Sequence, residues 1–437
     1  MRTIVHKTIS DVSVLKKQFL QWSQGFREVV ILDSNSEFNA SNSCADYDYI
    51  VSVDAFTAVK TDAYNGFQDL HQYQSQIRDW IFGYLSYDLK NDVEDLKSEN
   101  FDGLSFPDLF FFQPKKLFLI KGNELQIHYL ALCDDEIESD FEDIINLQID
   151  QILHKTEAIQ IKQRISKESY LQKTTALLQH IQQGGLYEAN FCMEFYAENA
   201  TILPHLVYQD LINITQTPFS CFFKNSSDYL LCASPERYLK KQNQKIISQP
   251  IKGTAKRFEN EIEDAIEKLQ LELNPKERSE NIMIVDLVRN DLSRTAVKGS
   301  VKVEELCKSY TFKQVHQLIS TVVSEVDFAL PPVAVLQTTF PMGSMTGAPK
   351  IAALKIIEDL EETKRGLYSG AIGYFTPNGD FDFNVVIRSI LYNIENQYLS
   401  FSVGSAITAE AQPEDEYDEC ILKASAMFQV LGVEVKS

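Results

Sequence analysis

The residues richest in chemistry in this 437-residue sequence are four glutamates in two pairs. Glu277 and Glu280 lie three apart in NPKERSENIMIVDL, and Glu416 and Glu419 lie three apart in PEDEYDECILKA. On a helix, side chains at i and i+3 share a face. Two such faces brought together make a carboxylate cage for a hard cation such as Mg2+, which takes one or two carboxylates and keeps several waters. A plainer reading exists for the same residues. Asn274-Pro275-Lys276-Glu277 fits an N-cap, a proline at N1 and an acidic N3. Glu416 and Glu419 fall in the first turns of the last helix, where acids suit the helix dipole.

Other side chains carry similar pairs of readings. Lys252, in Pro250-Ile251-Lys252-Gly253-Thr254, is a nucleophile if desolvated and otherwise a surface lysine. Glu236, in Ser234-Pro235-Glu236-Arg237, is a general acid if burial raises its pKa, and otherwise a turn residue paired with Arg237. The loop Phe340 to Lys350 offers backbone N–H groups and hydroxyls ahead of a helix, suited to an anion. It is not a nucleotide P-loop, because Ala-Pro separates Gly347 from Lys350. Arg388, in an apolar stretch, needs a carboxylate from a substrate or from the protein. His316 is an orienting donor or a satisfied core histidine. Lys423 shares a polar stripe with Glu416 and Glu419 on the last helix, apart from the apolar stripe Tyr417, Ile421, Ala424, Phe428 and Leu431.

The elements that must position these residues come in runs. Short strands are expected at 29–32, 49–53 and 109–112, with a helix from Gly66 to Gly83. A charged, weakly patterned stretch from Asp140 to about Lys167 suggests a soft boundary, dividing an N-terminal region 1–150 from 151–437. Beyond it we expect a helix over 169–183, strands over 187–196, 220–224, 229–233 and 245–248, and helices over 261–273 and 275–290. A hairpin is expected over 370–375 and 381–391, turning at Pro377-Asn378-Gly379-Asp380, and the last helix over 413–431. Runs rather than strict alternation imply an α+β fold with antiparallel sheets. With 41 basic and 62 acidic residues the net charge is −21, which argues against nucleic acid or an anionic membrane as the main partner. No secretory signal and no membrane-spanning run is visible. Seven scattered cysteines without C-x-x-C spacing suggest reduced thiols in a cytoplasmic protein.

Taken in order, the segments SPERYL, QPIKGTAKR, ENIMIVDLVRNDLSR, GSVKV, VHQLISTV, FPMGSMTGAPK, RGLYSGAIGYF, VVIRS and EDEYDECILKA resemble the chorismate-utilising enzymes. Weaker echoes are ILDSNS, FGYLSYDL and FPDLFFF. The resemblance implies two large antiparallel sheets packed as a sandwich with helices outside, and chorismate as substrate. It implies Glu280 and Glu419 as direct Mg2+ ligands, with Glu277 and Glu416 as outer carboxylates, and Glu236 as general acid. It gives Tyr368, Arg388 and the backbone at Gly404 to the enolpyruvyl carboxylate, and Gly253 to substrate binding. His316 and Thr254 would line the ring, and Lys423 would lie near the metal-bound carboxylate. Members that form anthranilate resemble P-I-A-G-T at the Lys252 motif. Lysine there implies covalent attack at C2, then ammonia addition at C4 to give 4-amino-4-deoxychorismate.

Three positions depart from the family pattern. Glu188, in LYEANF, stands where glutamine or lysine is usual. Glu194 stands where a basic residue is common, and Ala406 where a second glycine is usual. No cysteine has a flanking glycine, so a triad glutaminase is not expected within the chain. Ammonia should come from a separate glutamine amidotransferase subunit, and aromatisation of the product from another protein. The rival readings are an anthranilate-forming enzyme and a chorismate-binding subunit without turnover.

Overall fold

A computed structural model of the chain describes residues 1–37, 45–149, 159–313 and 315–433. The described strands join into one antiparallel network of twenty strands, where the resemblance implied two sheets. The network has two arms. One runs from Arg2–Thr8 through Glu124–Leu130, Leu109–Lys121, Tyr49–Thr61, Glu28–Asp33, Phe219–Asn225, Asp228–Ser234, Ser389–Asn393 and Tyr398–Thr408 to Glu188–Ala197. The other runs from Ile81–Leu85 through Ala371–Phe375, Phe381–Val385, Arg237–Gln242 and Lys245–Gln249 to Val315–Glu325, which also carries Ile251–Lys256 and Lys302–Thr311.

The long strand Leu109–Lys121 makes the arms continuous. Residues 109–112 pair with Ile81–Leu85, whereas residues 116–121 pair with Glu124–Leu130. Pro114 lies at the changeover and has no N–H to give the ladder. Its partner strand shifts register between Ala55 and Thr57, beside Asp54 at φ +62°. A bulge there bends the pair, so one strand serves both arms.

Side chains alternate across the first arm and feed two cores. Val29 and Ile31 join Leu15, Phe19, Leu177, Leu211 and Phe428 of the helices. Val30 joins Phe223 and Leu391 of the first arm and Phe82, Tyr374, Phe383 and Ile246 of the second. Pairing crosses residue 150, since Glu28–Asp33 pairs with Phe219–Asn225 and Ile81–Leu85 with Ala371–Phe375. The expected boundary itself lies partly outside the described residues.

Two expected elements are broken. The helix at Gly66 ends at Ile77, where Arg78 turns left-handed (φ +47°), and the buried strand Ile81–Leu85 follows. The strand expected over 381–391 stops at Val385 and resumes at Ser389. Arg388 sits in the gap at φ +53°, so it is a turn residue rather than a strand residue. No described helix is long and apolar enough to cross a membrane. The six described cysteines are buried and unpaired, and Cys44 lies outside the described residues.

Candidate active site

Lys252 owes its position to a defect in its strand. Ile251–Lys256 pairs with Val315–Glu325, but the register shifts between Ile251 and Thr254. Gly253 takes φ +95°, and a Cβ there would lie 2.9 Å from Oε2 of Glu277. Only glycine lets the strand approach the helix Pro275–Ser293 this closely without strain. From that helix Asn281 donates to the carbonyls of Lys252 (3.3 Å) and Leu318 (3.2 Å). The Lys252 side chain is 14% exposed, and its Nζ lies 3.1 Å from Oε1 of Glu188. Burial alone would lower the lysine pKa. The carboxylates of Glu188, Glu280 and Glu236 outweigh it and raise the pKa above the ordinary value. Lys252 is therefore an ammonium in the free protein, although the covalent reading needs its neutral amine.

The glutamate pairs stand at two helix starts. Asn274 caps the first helix, its Oδ1 accepting from the N–H groups of Lys276 (3.0 Å) and Glu277 (3.3 Å). Capping thus falls to Asn274. Glu280 is pushed up to about 7 by burial and by Glu277 and Glu188, against Lys252 and Lys276. Glu277 is raised by burial and by Glu419, which reaches it from the other helix, Pro413–Val430. Glu416 is raised by burial and by Glu419. Glu419 is different: burial pushes it up, but Lys423, with Nζ 2.6 Å away, holds it below the usual range. Among the described residues no three His, Cys, Asp or Glu side chains are gathered closely enough to hold a metal ion.

Glu236 lies in the turn between Asp228–Ser234 and Arg237–Gln242 and is 6% exposed. Burial pushes its carboxyl up to about 7, against a hydrogen bond from Ser344, the charge of Lys252, the Ile251 N–H and Lys423. Arg237 is not its partner, because that guanidinium is bidentate to Asp382 at 2.9 and 3.0 Å. The loop from Phe340 is buried and braces the site from behind. Ser344 serves Glu236, and Lys350, expected near an anion, is spent on Asp291 at 2.6 Å. Gly347 and Ala348 pair with Ala189 and Glu188, and a Cβ on Gly347 would lie 2.2 Å from the Glu188 carbonyl. Arg365 ties the same strand down, donating to the carbonyls of Met345 and Asn190 (both 2.7 Å) and to Glu361.

Arg388 donates to the Lys423 carbonyl at 3.3 Å, and no described carboxylate pairs with it. Burial lowers its pKa, against Tyr368 and Glu419. An arginine so placed is suited to a ligand carboxylate. Tyr368 is buried beside Cys192, whose Sγ is 3.9 Å from the phenol. The Gly404 carbonyl accepts from Lys423 Nζ at 2.8 Å.

Two expected site residues are not drawn into this group. His316 is buried with both ring nitrogens engaged, Nε2 on Asp264 (3.0 Å) and Nδ1 on Thr311 (3.1 Å). Thr254 is exposed, opposite Gln317. Among the departures, Glu194 is occupied by Arg164 (3.0 Å), Tyr398 (3.0 Å) and Ser400 (2.7 Å), and Ala406 faces Asn190 across the ladder. Lys276 was missed. Burial lowers it, but all four glutamates raise it, so it is a cation of the cluster. Its place between the N1 proline and Glu277 was the available signal.

The profile described as chorismate binding enzyme matches residues 16–429. The chain is 35% identical over 364 residues to the chloroplastic aminodeoxychorismate synthase of Arabidopsis thaliana, covering 79% of this chain and 39% of that protein. Against aminodeoxychorismate synthase component 1 of Bacillus subtilis (strain 168) it is 30% identical over 362 residues, covering 80% of this chain and 76% of the relative. In fold it is similar to anthranilate synthase component I from Streptococcus pneumoniae TIGR4. The TM-score is 0.77 at 24% identity, over 86% of this chain and 91% of the other. The matched span takes in the Lys252 strand, both glutamate helices and the Arg388 turn, and the chain belongs to the chorismate-binding enzyme family.

Proposed function

We propose that the chain aminates chorismate at C4 with ammonia, giving 4-amino-4-deoxychorismate for 4-aminobenzoate and folate synthesis. The observation that carries this reading is Lys252, whose side chain is 14% exposed among Glu188, Glu236 and Glu280, at the position where the resemblance gives anthranilate-forming members an alanine. Its match to relatives named aminodeoxychorismate synthase supports it.

Glu280 and Glu419, backed by Glu277 and Glu416, are the residues that would hold Mg2+. The donor set fits in kind: it is all carboxylate oxygen, and the charge of Glu419 raises the pKa of both Glu277 and Glu416, a repulsion that a dication would relieve. Bound there, Mg2+ would supply positive charge to the substrate's ring carboxylate and so polarise the diene.

Glu236, with its pKa near neutrality, gives its proton to the departing C4 hydroxyl, which leaves as water. The neutral amine of Lys252 attacks C2 as both ring double bonds shift, to C1–C6 and C4–C5, and the C4–O bond breaks. Ammonia then adds at C4, both double bonds shift back, and the C2–N electron pair returns to lysine. The new C4 ammonium gives a proton to Glu236. Arg388 and Tyr368 orient the enolpyruvyl carboxylate with the backbone at Gly404. Lys423 would stand near the ring carboxylate and Gly253 beside the ring, whereas Thr254 is exposed and takes no part in the steps. His316, with both nitrogens engaged, positions Asp264 and its own strand.

We take the two arms as the facing layers of a sandwich, with residues 1–150 bracing the catalytic region 151–437. Ammonia would come from a separate glutamine amidotransferase subunit, in line with the words "component 1" in the Bacillus relative's name. The test is product analysis with chorismate, Mg2+ and an ammonium salt. Aminodeoxychorismate is expected. Anthranilate would move the chain to C2 amination, and binding without product would make it a regulatory subunit.

A further inference from the structure

Glu188 departs from the family pattern, and its surroundings are costly for a carboxylate. It is 1% exposed on Glu188–Ala197, held between Ala348 and Thr408 of the flanking strands. Oε1 accepts from Lys252 Nζ at 3.1 Å. Oε2 is buried and has no hydrogen-bond partner among the described residues. A buried ion pair with an unsatisfied oxygen is a poor stabilising device. Glutamine has almost the same volume and would fill the space without a buried negative charge.

The arrangement suits a proton that moves. Lys252 Nζ lies 3.1 Å from a carboxylate oxygen and its pKa is raised by the carboxylates around it, which favours the ammonium, and an ammonium is no nucleophile. The charged groups facing it are Glu188 from its strand, Glu280 and Glu277 from the helix Pro275–Ser293, Glu419 from the helix Pro413–Val430, and Glu236 from its turn. Glu236 must arrive protonated to release the C4 hydroxyl, so it cannot also receive the lysine's proton. The remaining hydrogen-bonded acceptor is Oε1 of Glu188, within direct transfer distance.

We propose that Glu188 is the catalytic base that takes a proton from Lys252 Nζ at the moment of attack and returns it when the lysine is released. The proposal rests on the covalent reading of Lys252. The steps balance. Glu188 becomes a neutral acid as Lys252 becomes a neutral amine, and the amine's lone pair forms the bond to C2. The hydroxyl leaves as water with the proton from Glu236. When ammonia adds at C4, the C2–N pair returns to lysine, the C4 ammonium reprotonates Glu236, and Glu188 reprotonates Lys252. The net change is chorismate plus ammonia to aminodeoxychorismate plus water. Two carboxyls near one lysine thus take opposite roles.

The test follows the Lys252 adduct by intact-protein mass spectrometry after rapid quenching. Chorismate and Mg2+ are present, ammonia is absent, and the pH runs from 6.5 to 9. In Glu188→Gln the lysine must lose its proton to solvent. Adduct formation should fall roughly 10²-fold at pH 7. The ratio of variant to parent rate should climb about tenfold per pH unit, as expected for one ionisation. Taking the ratio removes the titration of Glu236 common to both proteins. Glu188→Asp keeps a carboxylate and should react more slowly with a ratio that stays flat with pH. If Glu188 serves only to hold Lys252 charged, Glu188→Gln will react as fast as the parent or faster at pH 7, which overturns the proposal. An Asp variant with the rising ratio of Gln also overturns it. Failure of the underlying reading looks different: the parent itself forms no adduct at any pH.

Discussion

In the proposed reaction Lys252 and Glu236 carry the chemistry, and each is tested by its own substitution. Lys252→Ala should lower activity and shift what remains from aminodeoxychorismate towards anthranilate, read by product chromatography, since C2 is then open to ammonia. Glu236→Gln removes the acid and should slow turnover by about 10² to 10⁴. It should also change stability with a definite sign. The folded pKa of Glu236 is about 7, against 4.5 for the free side chain. The folded state therefore binds the extra proton, and its contribution is present below pH 4.5 and lost as pH rises through 7. Glu236→Gln should thus gain up to about 3 kcal/mol at pH 8 relative to pH 4, measured by denaturant unfolding. The sequence named both residues but not their states. Charge on Lys252 depends on Glu188, 64 residues away in the chain, and burial of Glu236 depends on a loop a hundred residues later. His316 shows the same limit, because only the fold reveals that Asp264 and Thr311 occupy it.

At the scale of elements, two helix starts must meet for the carboxylates to act together. Glu280→Ala or Glu419→Ala should abolish turnover while leaving the circular dichroism spectrum unchanged. Burial and neighbouring carboxylates push Glu280 up to about 7, and a proton there would compete with Mg2+ in the proposed site. At limiting Mg2+ the rate should fall below pH 7, and raising Mg2+ should move that acid limb to lower pH. The alkaline limb, set by Glu236, should stay near 7. Gly253→Ala forces a side chain into a left-handed backbone against Glu277 and should destabilise by about 1 to 2 kcal/mol. It should also weaken the Mg2+ response. Amphipathic helices were legible: the expected helix over 261–273 coincides with Glu261–Leu273, and the last one with Pro413–Val430 to within a residue. The missed breaks were left-handed residues with ordinary side chains. Arg78 ends a helix and Arg388 interrupts a strand, and neither is the glycine or asparagine that marks such turns in a sequence.

For the whole molecule, the antiparallel class was readable from runs of strands, but the join between arms was not. It depends on Leu109–Lys121 pairing with different partners along its length, which its apolar pattern does not encode. The site collects Glu188 from the end of the first arm, Lys252 from the second, and glutamates from two helices far apart in sequence. Such a cluster needs the full topology. The chain is expected to use ammonium salts directly and to use glutamine only when a glutamine amidotransferase is added, which a coupled assay will show. The central claim is a covalent lysine. The direct measurement is peptide mapping by mass spectrometry after quenching the protein with chorismate and Mg2+ in the absence of ammonia. The account predicts an adduct on Lys252 that disappears when ammonia is added. No adduct in the parent protein, together with full aminodeoxychorismate synthesis by Lys252→Ala, would contradict it.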